Sequence, residues 1–375
     1  MLQNPLSRRL LKKVQMQGGA RRAERGVLRV RRSERPSAPT PQMGLFQQPA
    51  RRMALVRWPA ALVAGGILVA APYALGIYPT FLLSLFCIFT LVTVGLNILV
   101  GLTGQISLGH VGFFAIGAYT AALLRTKLAV SYWLGLPLAG LGAAGIGFAL
   151  GLPALKVRGH YLALVTLAFG EIVQEIIIQW KDVTNGIDGV HVPPPALFGM
   201  ALAKGRGLYY VILGITAVLV WGARNLTNSA SGRAFKAIRS AELAAQAMGV
   251  SLAGYKLLAF VISAFYAGVA GALYGPLLGF ISGEYFGLIQ SVMYLMMIVI
   301  GGLGSVAGAI IGAGVFTLLP ELLRRFEDFQ ELVYGGLLLG FIVFVPHGLA
   351  GILGRLREAG AQWRRGMGTA PGASG

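Results

Sequence analysis

The amino-acid sequence predicts an all-α fold: a polytopic transmembrane helical bundle of about 8–10 membrane segments, some of them re-entrant or broken. Three observations carry that expectation. Of 375 residues, 56% are hydrophobic and only 12% charged, about half the charge of an ordinary soluble domain. Continuous apolar runs recur from Pro59 to Leu353, several of them about 20 residues long, enough to cross a bilayer as helix. The runs lack the ten-residue alternation of a membrane β-barrel, which excludes that architecture.

In chain order the apolar segments fall at 59–77, 80–100, 104–124, 132–155, 159–180, 208–223, 257–280, 288–302, 303–322 and 332–353. They make up a transmembrane domain over 58–353. Before it, residues 1–57 hold fourteen Lys/Arg against Glu24 and Glu34. The stretch has no periodicity and is expected to be a disordered basic extension. A start placed too early is the other explanation, with Met43 or Met53 as the true first residue, and an Arg-rich targeting peptide is a third. Residues 354–375 are expected to form a disordered tail. The net charge of +19 is concentrated in these termini and in short connections, as the positive-inside rule predicts for cytoplasmic segments; it does not point to nucleic acid. With both termini cytoplasmic, Lys156, Arg158, Arg224, Arg233, Lys236, Arg239 and Lys256 fall inside. Arg125, Lys127, Lys204 and Arg206 are exceptions outside.

Two connections are long. The outer one, 181–207, is dense in turn chemistry: Asn-Gly, Asp-Gly and three consecutive prolines. The segment 281–291 on the same side suits a small interfacial helix. The inner connection, 224–256, contains "SGRAFKAIRSAELAAQAMGVSLAGYK" and is rich in helix formers. Ser240 is placed to cap a helix over 241–248, with Glu242 in its first turn and Gly249 at the left-handed position after it. Such a helix either docks on a partner protein through its small Ala face or lies on lipid headgroups, which Arg233, Lys236 and Arg239 also favour.

Polar residues inside the spans are few. Asn97, Thr103, Gln105, Ser107 and His110 crowd the glycine-rich stretch "GLTGQISLGH". Irregular backbone at membrane depth must face protein or water. The stretch is therefore either helix packing glued by small and hydroxyl residues or a discontinuous helix lining a translocation route. Glu171 and Glu175 share a face of the fifth span at i, i+4, where a carboxylate needs a wet cavity, a proton or a hydrogen bond to another span. A Gly-Leu turn at 101–104 is echoed at 302–304, as an internal duplication would produce. Asn185 and Asp188 sit in "TNGIDGV", either as surface contacts or as ordinary turn caps. Cys87 is alone, no His/Cys/Asp/Glu spacing suits a metal, and no nucleophile–base arrangement points to catalysis. No Lys is followed by Ser or Thr, so a P-loop is excluded and any ATP must be hydrolysed by another subunit.

The stretch 231–275 resembles the cytoplasmic loop and following span of LivM-type permeases, the membrane subunits of ATP-binding-cassette importers for branched-chain amino acids. "GLNILVGLTGQISLGHVGFFAIGAYTAALL" (95–124), "GHYLALVTLAFGEIV" (159–173), "TNGIDGV" (184–190) and "IGGLGSVAGAIIGA" (300–313) are similar to the same family in the same order. The resemblance covers about 60–352. It implies a permease that performs no covalent chemistry and binds no cofactor. Its partners would be a second homologous permease, two ATPases that bind the ATP, a periplasmic solute-binding protein and the lipid of a bacterial inner membrane. By position, Gly232, Arg233, Ala237, Arg239, Glu242, Ala245 and Gly249 match the family's ATPase-coupling motif. Asn185 and Asp188 are then candidate binding-protein contacts, and Asn97, Gln105, Ser107, His110, Glu171 and Glu175 candidates for the pathway. The alternatives are an ion-coupled secondary transporter, or a related importer for urea or short amides.

Overall fold

The structure, a computed structural model, describes residues 65–157, 159–197, 200–201, 205–322 and Gly336. The basic extension, the segment 332–353, the stretch 324–331 and the tail lie outside the described residues, and so do Arg158 and Lys204. The described residues from Ile67 to Leu322 belong to one unit by their own contacts.

The elements follow the apolar pattern. A short apolar helix, α1 (Gly65–Ala74), precedes α2 (Ile77–Leu96). Ser84 and Thr93 of α2 bond back to the preceding turn, to Thr80 O at 2.9 Å and Phe89 O at 2.8 Å, so these two hydroxyls enter an apolar core satisfied. α2 runs without interruption into a π-helical turn, π1 (Asn97–Leu102). Then come α3 (His110–Thr126), α4 (Tyr132–Ala154), α5 (His160–Gln179) and the single turn α6 (Lys181–Thr184). After the outer connection the chain forms α7 (Arg206–Asn228), the loop helices α8 (Ala230–Ser240) and α9 (Glu242–Ala247), and α10 (Leu252–Leu278). α11 (Leu288–Gly301) and α12 (Val306–Leu322) complete the described bundle. Among the described residues, five helices are long and apolar enough to span a membrane: α2 with π1, α4, α5 from Tyr161, α7 and α10. α11 and α12 are shorter apolar helices.

α10 is the axis of the bundle, packed against α2, α3 and α4. The contact works through small residues rather than bulk. A Cβ on Gly117 of α3 would overlap the backbone of Gly268 in α10, and one on Gly268 would stand 2.5 Å from Ala143 Cβ of α4. Lipid tails are as apolar as Leu, so close backbone approach and the dispersion it permits hold such helices together. Aromatic rings fill the remaining space, with Phe113 against Phe169 and Phe260 at 4.8 and 5.9 Å between centroids.

The connections sort to two ends. At one end Gln105, the α8–α9 loop and Gly304 meet. At the other, Lys127 Nζ donates to Asp182 O at 2.7 Å, and a two-residue antiparallel pairing joins β1 (Val190–His191) to β4 (Phe280–Ile281). A second small pairing, β2 (Ala196–Leu197) with β3 (Met200–Ala201), sits in the same connection. Two expectations are corrected. The third apolar segment begins to be helical only at His110, because 104–109 is a non-helical break. The interfacial helix expected in 281–291 is a short 3-10 turn, Gly283–Phe286, followed directly by α11.

Candidate functional site: a loop helix tied to two breaks in the bundle

The loop is built to stand away from the spans while remaining anchored to them. Ser229 caps α8, its Oγ accepting from Gly232 N at 3.3 Å. Gly232, Phe235 and Ile238 form its buried edge. A Cβ at Gly232 would overlap the carbonyls of Leu226 and Thr227, so glycine lets α8 fold tightly against the end of α7. Arg233 Nη1 and Lys236 Nζ donate to Asn228 O and Thr227 O, at 3.4 and 3.2 Å, which satisfies the orphan carbonyls of α7 and suits the negative end of its dipole. Ala237 is partly buried beside them.

α9 differs from the sequence expectation at its start. Ser240 is the last residue of α8 and its Oγ donates to Lys236 O at 3.0 Å; the residue preceding α9 is Ala241 in extended conformation, with no side-chain cap. Asn, Asp and Ser compete for nearby backbone groups, and here Ser240 is drawn to the turn before it. Gly249 takes the expected positive φ of 84°, and Val250 N closes onto Ala245 O at 3.0 Å. Ala245 is buried and seats the helix. The outer side of this helix and the turn after it carries Leu243 and Met248, 83% and 85% exposed.

Two ties join this loop to the bundle, and a third bond holds the α10 end of the first tie to the break after π1. Glu242 Oε1 and Lys256 Nζ form a salt bridge at 2.6 Å, linking α9 to the first turn of α10. Lys256 O accepts from Gln105 Nε2 at 3.3 Å. Arg239 Nη1 donates to Gly101 O at the end of π1.

The break after π1 is non-helical but sealed. Gln105 bonds at the level of Lys256, whereas His110 Nε2 lies 2.5 Å from Ser263 Oγ; seven residues of α10 separate the two levels, about 10 Å. Over that distance the chain alternates, with Gln105, Ser107 and Gly109 buried and Gly104 and Ile106 exposed. Its polar side chains Gln105, Ser107 and His110 find protein partners. Gln105 Nε2 also donates to Thr103 Oγ1 at 2.9 Å, and Leu108 N to Thr166 Oγ1 at 3.0 Å. Ser107 Oγ lies 3.0 Å from His110 Nδ1, and Ser263 Oγ donates to Gly95 O at 2.7 Å. Because Ser263 has spent its proton on Gly95, the network's direction assigns the His110 proton to Nε2. Non-helical backbone is tolerated at membrane depth where protein buries it in this way. Asn97, fully buried, accepts from Gly304 N at 2.8 Å, which brings the break at 302–305 onto the one at 101–109.

The remaining candidates are elsewhere. Glu171 and Glu175 lie on the exposed stripe of α5 with Leu164, Ile172 and Ile176, and Glu175 Oε1 accepts from Gln179 Nε2 at 2.7 Å. At the end opposite the loop, Asn185 takes a left-handed φ of 59° beside Gly186. Asn185 and Asp188 line a cleft of about 600 Å³ with Thr126, Lys127, Lys181 and His191. Sequence reasoning missed Leu243, Met248 and the Lys127–Lys181 side of this cleft. Two large apolar side chains within a polar loop were the available signal for the first pair.

Spans packed through small residues, breaks sealed by hydrogen bonds and a loop helix held outside the bundle define a polytopic helical membrane permease. The chain belongs to the family of branched-chain amino acid transport system permease components, which matches residues 78–345. It is 36% identical over 307 residues to the high-affinity branched-chain amino acid transport system permease protein LivM of Salmonella typhimurium, covering 76% of this chain and 72% of that protein. Against LivM of Escherichia coli it is 36% identical over 305 residues, 75% of this chain and 72% of that one. It is also 24% identical over 289 residues to LivH of Escherichia coli, 70% of this chain and 91% of the relative. No solved structure matches the chain.

Proposed function

We propose that this chain is one of two membrane subunits of a bacterial inner-membrane importer for branched-chain amino acids, driven by ATPase subunits that grip the α8–α9 loop. The observation that carries the reading is α9 itself. It presents Leu243, with Met248 in the turn after it, almost fully exposed on a loop tied to α10 and to the end of π1, which suits a knob for a cleft on a separate protein. A helix lying on headgroups would be expected to tie less firmly to α10 than the Glu242–Lys256 bridge does. The permease family and the similarity to both LivM and LivH of one organism support a second, homologous permease as partner.

On this reading the loop end and both termini face the cytoplasm and the cleft beside Asn185 and Asp188 receives a periplasmic solute-binding protein. Asn97, Gln105, Ser107 and His110 hold the shape of the break, and Glu171 and Glu175 line the route where the two permeases meet. ATP binding moves the loop, and the spans rock between inward- and outward-facing states as rigid bodies. The chain contributes no catalytic group to ATP hydrolysis.

The test is uptake of radiolabelled leucine by proteoliposomes containing both permeases and the binding protein, with and without the ATPase subunits. Uptake that requires the ATPases and ATP is expected. Uptake that persists on an ion gradient without them would overturn the proposal in favour of a secondary transporter.

A further inference from the structure

Arg239 was expected, as part of the coupling loop, to face a partner. The residue is exposed, and its guanidinium also reaches back to the bundle. Nη1 donates to Gly101 O, one of the last carbonyls of π1, which have no helical donor and favour a cation. Two backbone positions with positive φ leave room for it. Gly104, φ 76°, lies under the Arg239 side chain, and a Cβ there would stand 3.5 Å from Arg239 Cγ. Gly304, φ 85°, faces the guanidinium, where a Cβ would stand 2.8 Å from Nη1. Gly304 N is itself held by Asn97 Oδ1 at 2.8 Å, and a Cβ on Gly101 would stand 2.6 Å from Gly304 N. One guanidinium from the loop therefore reaches both interruptions of the bundle, the one after α2–π1 and the one between α11 and α12. These interruptions are where the spans lack a continuous helical ladder and can change direction.

We infer that Arg239 is the positioning residue that carries movement of the coupling loop to both breaks at once. The inference rests on the proposed function and divides the loop into two roles. Leu243 and Met248 hold the motor, and Arg239 passes its displacement inward. Loss of Arg239 should leave the ATPases docked and turning over while the breaks no longer follow.

The experiment measures leucine transported per ATP hydrolysed in proteoliposomes of the complete complex, for wild type, Arg239→Ala, Arg239→Lys and Gly304→Ala. In Arg239→Ala, transport per ATP is expected to fall by about tenfold or more, the size of an ordinary coupling free energy. Arg239→Lys, which keeps one donor for Gly101 O, should recover part of the ratio, and Gly304→Ala, which crowds the guanidinium, should lower it with Arg239 present. A merely structural role reduces both rates in proportion and leaves the ratio unchanged. Wild-type ratios in Arg239→Ala, or proportional loss of both rates, overturn the inference. Should Arg239→Ala fail to assemble, the Gly304→Ala ratio decides in the same way. A wild-type complex that shows no ATP-dependent uptake defeats the proposed function instead, so the two failures are distinguishable.

Discussion

His110 Nε2 lies 2.5 Å from Ser263 Oγ, joining the first residue of α3 to the middle of α10. Ser107 closes the other side of the ring, and Ser263 passes the network on to the backbone of α2 at Gly95. All three side chains are buried. His110→Ala leaves Ser107 without its partner and a ring-sized void among three helices. Interhelical hydrogen bonds in membranes are worth at most about 1–2 kcal/mol, and the void adds to that. A lowered melting temperature of the detergent-solubilised protein is the expected result, and an unchanged melt would show that the network is not what seals the break.

The axis helix makes a sharper stability prediction. Gly117 meets the backbone of Gly268, whereas Gly214, in the middle of α7, has nothing within 4 Å of an added Cβ. Gly117→Ala must push α3 off α10 and should cost about 1–3 kcal/mol or more, as overpacked cores do. Gly214→Ala faces open space and should be neutral or gain up to about 1 kcal/mol from helix propensity. Melting curves of the two variants in one detergent test the contrast; equal shifts would refute the close approach of α3 and α10.

Leu243 and Met248 should report docking without reporting folding. Neither is covered within the chain, so Leu243→Asp and Met248→Asp remove no internal contact and should leave the melting temperature unchanged. Buried apolar anchors at protein interfaces commonly contribute 1 kcal/mol or more each, so each change should weaken capture of the ATPase subunits by about tenfold. Co-purification on tagged ATPase, with the permease concentration titrated, measures this. Undiminished capture by the double variant would remove α9 as the gripped element.

Most of the bundle was legible in the sequence because apolar length and composition are the dominant signal for membrane helices. The spans Tyr132–Ala154 and His160–Gln179 fall within a residue of their expected limits. A break was one of two readings of the stretch at 104–109, which was placed inside a span, since Ile106 and Leu108 kept it apolar. The real signal of the break is the alternation Gln105-Ile106-Ser107-Leu108, a period of two that departs from a helix. The partners of Asn97, Arg239 and His110 lie 207, 138 and 153 residues away in sequence, and no local pattern specifies them. The repeat of a Gly-Leu turn at 101–104 and 302–304 hinted at duplication. What it marks in the structure is the place where two breaks meet.

Glu171 and Glu175 carry the last prediction. They share one face of α5 at i, i+4, and apart from Gln179 at its end that face is largely apolar and exposed. A carboxylate left in lipid costs several kcal/mol; in the proposed assembly the face opens to water or to the partner permease, where an amino acid in transit would bring an ammonium group. A hydrogen bond to a charged group contributes about 1.5–3 kcal/mol, so Glu171→Gln should lower the maximal rate of leucine uptake by about tenfold. The half-saturation concentration should hold, because in the proposed assembly a separate binding protein captures the solute before it reaches α5. Thermal stability should also hold, since Glu171 is exposed within the chain. Initial-rate uptake in proteoliposomes over a range of leucine concentrations separates the two parameters. A wild-type maximal rate in both Glu171→Gln and Glu175→Gln would move the route away from α5.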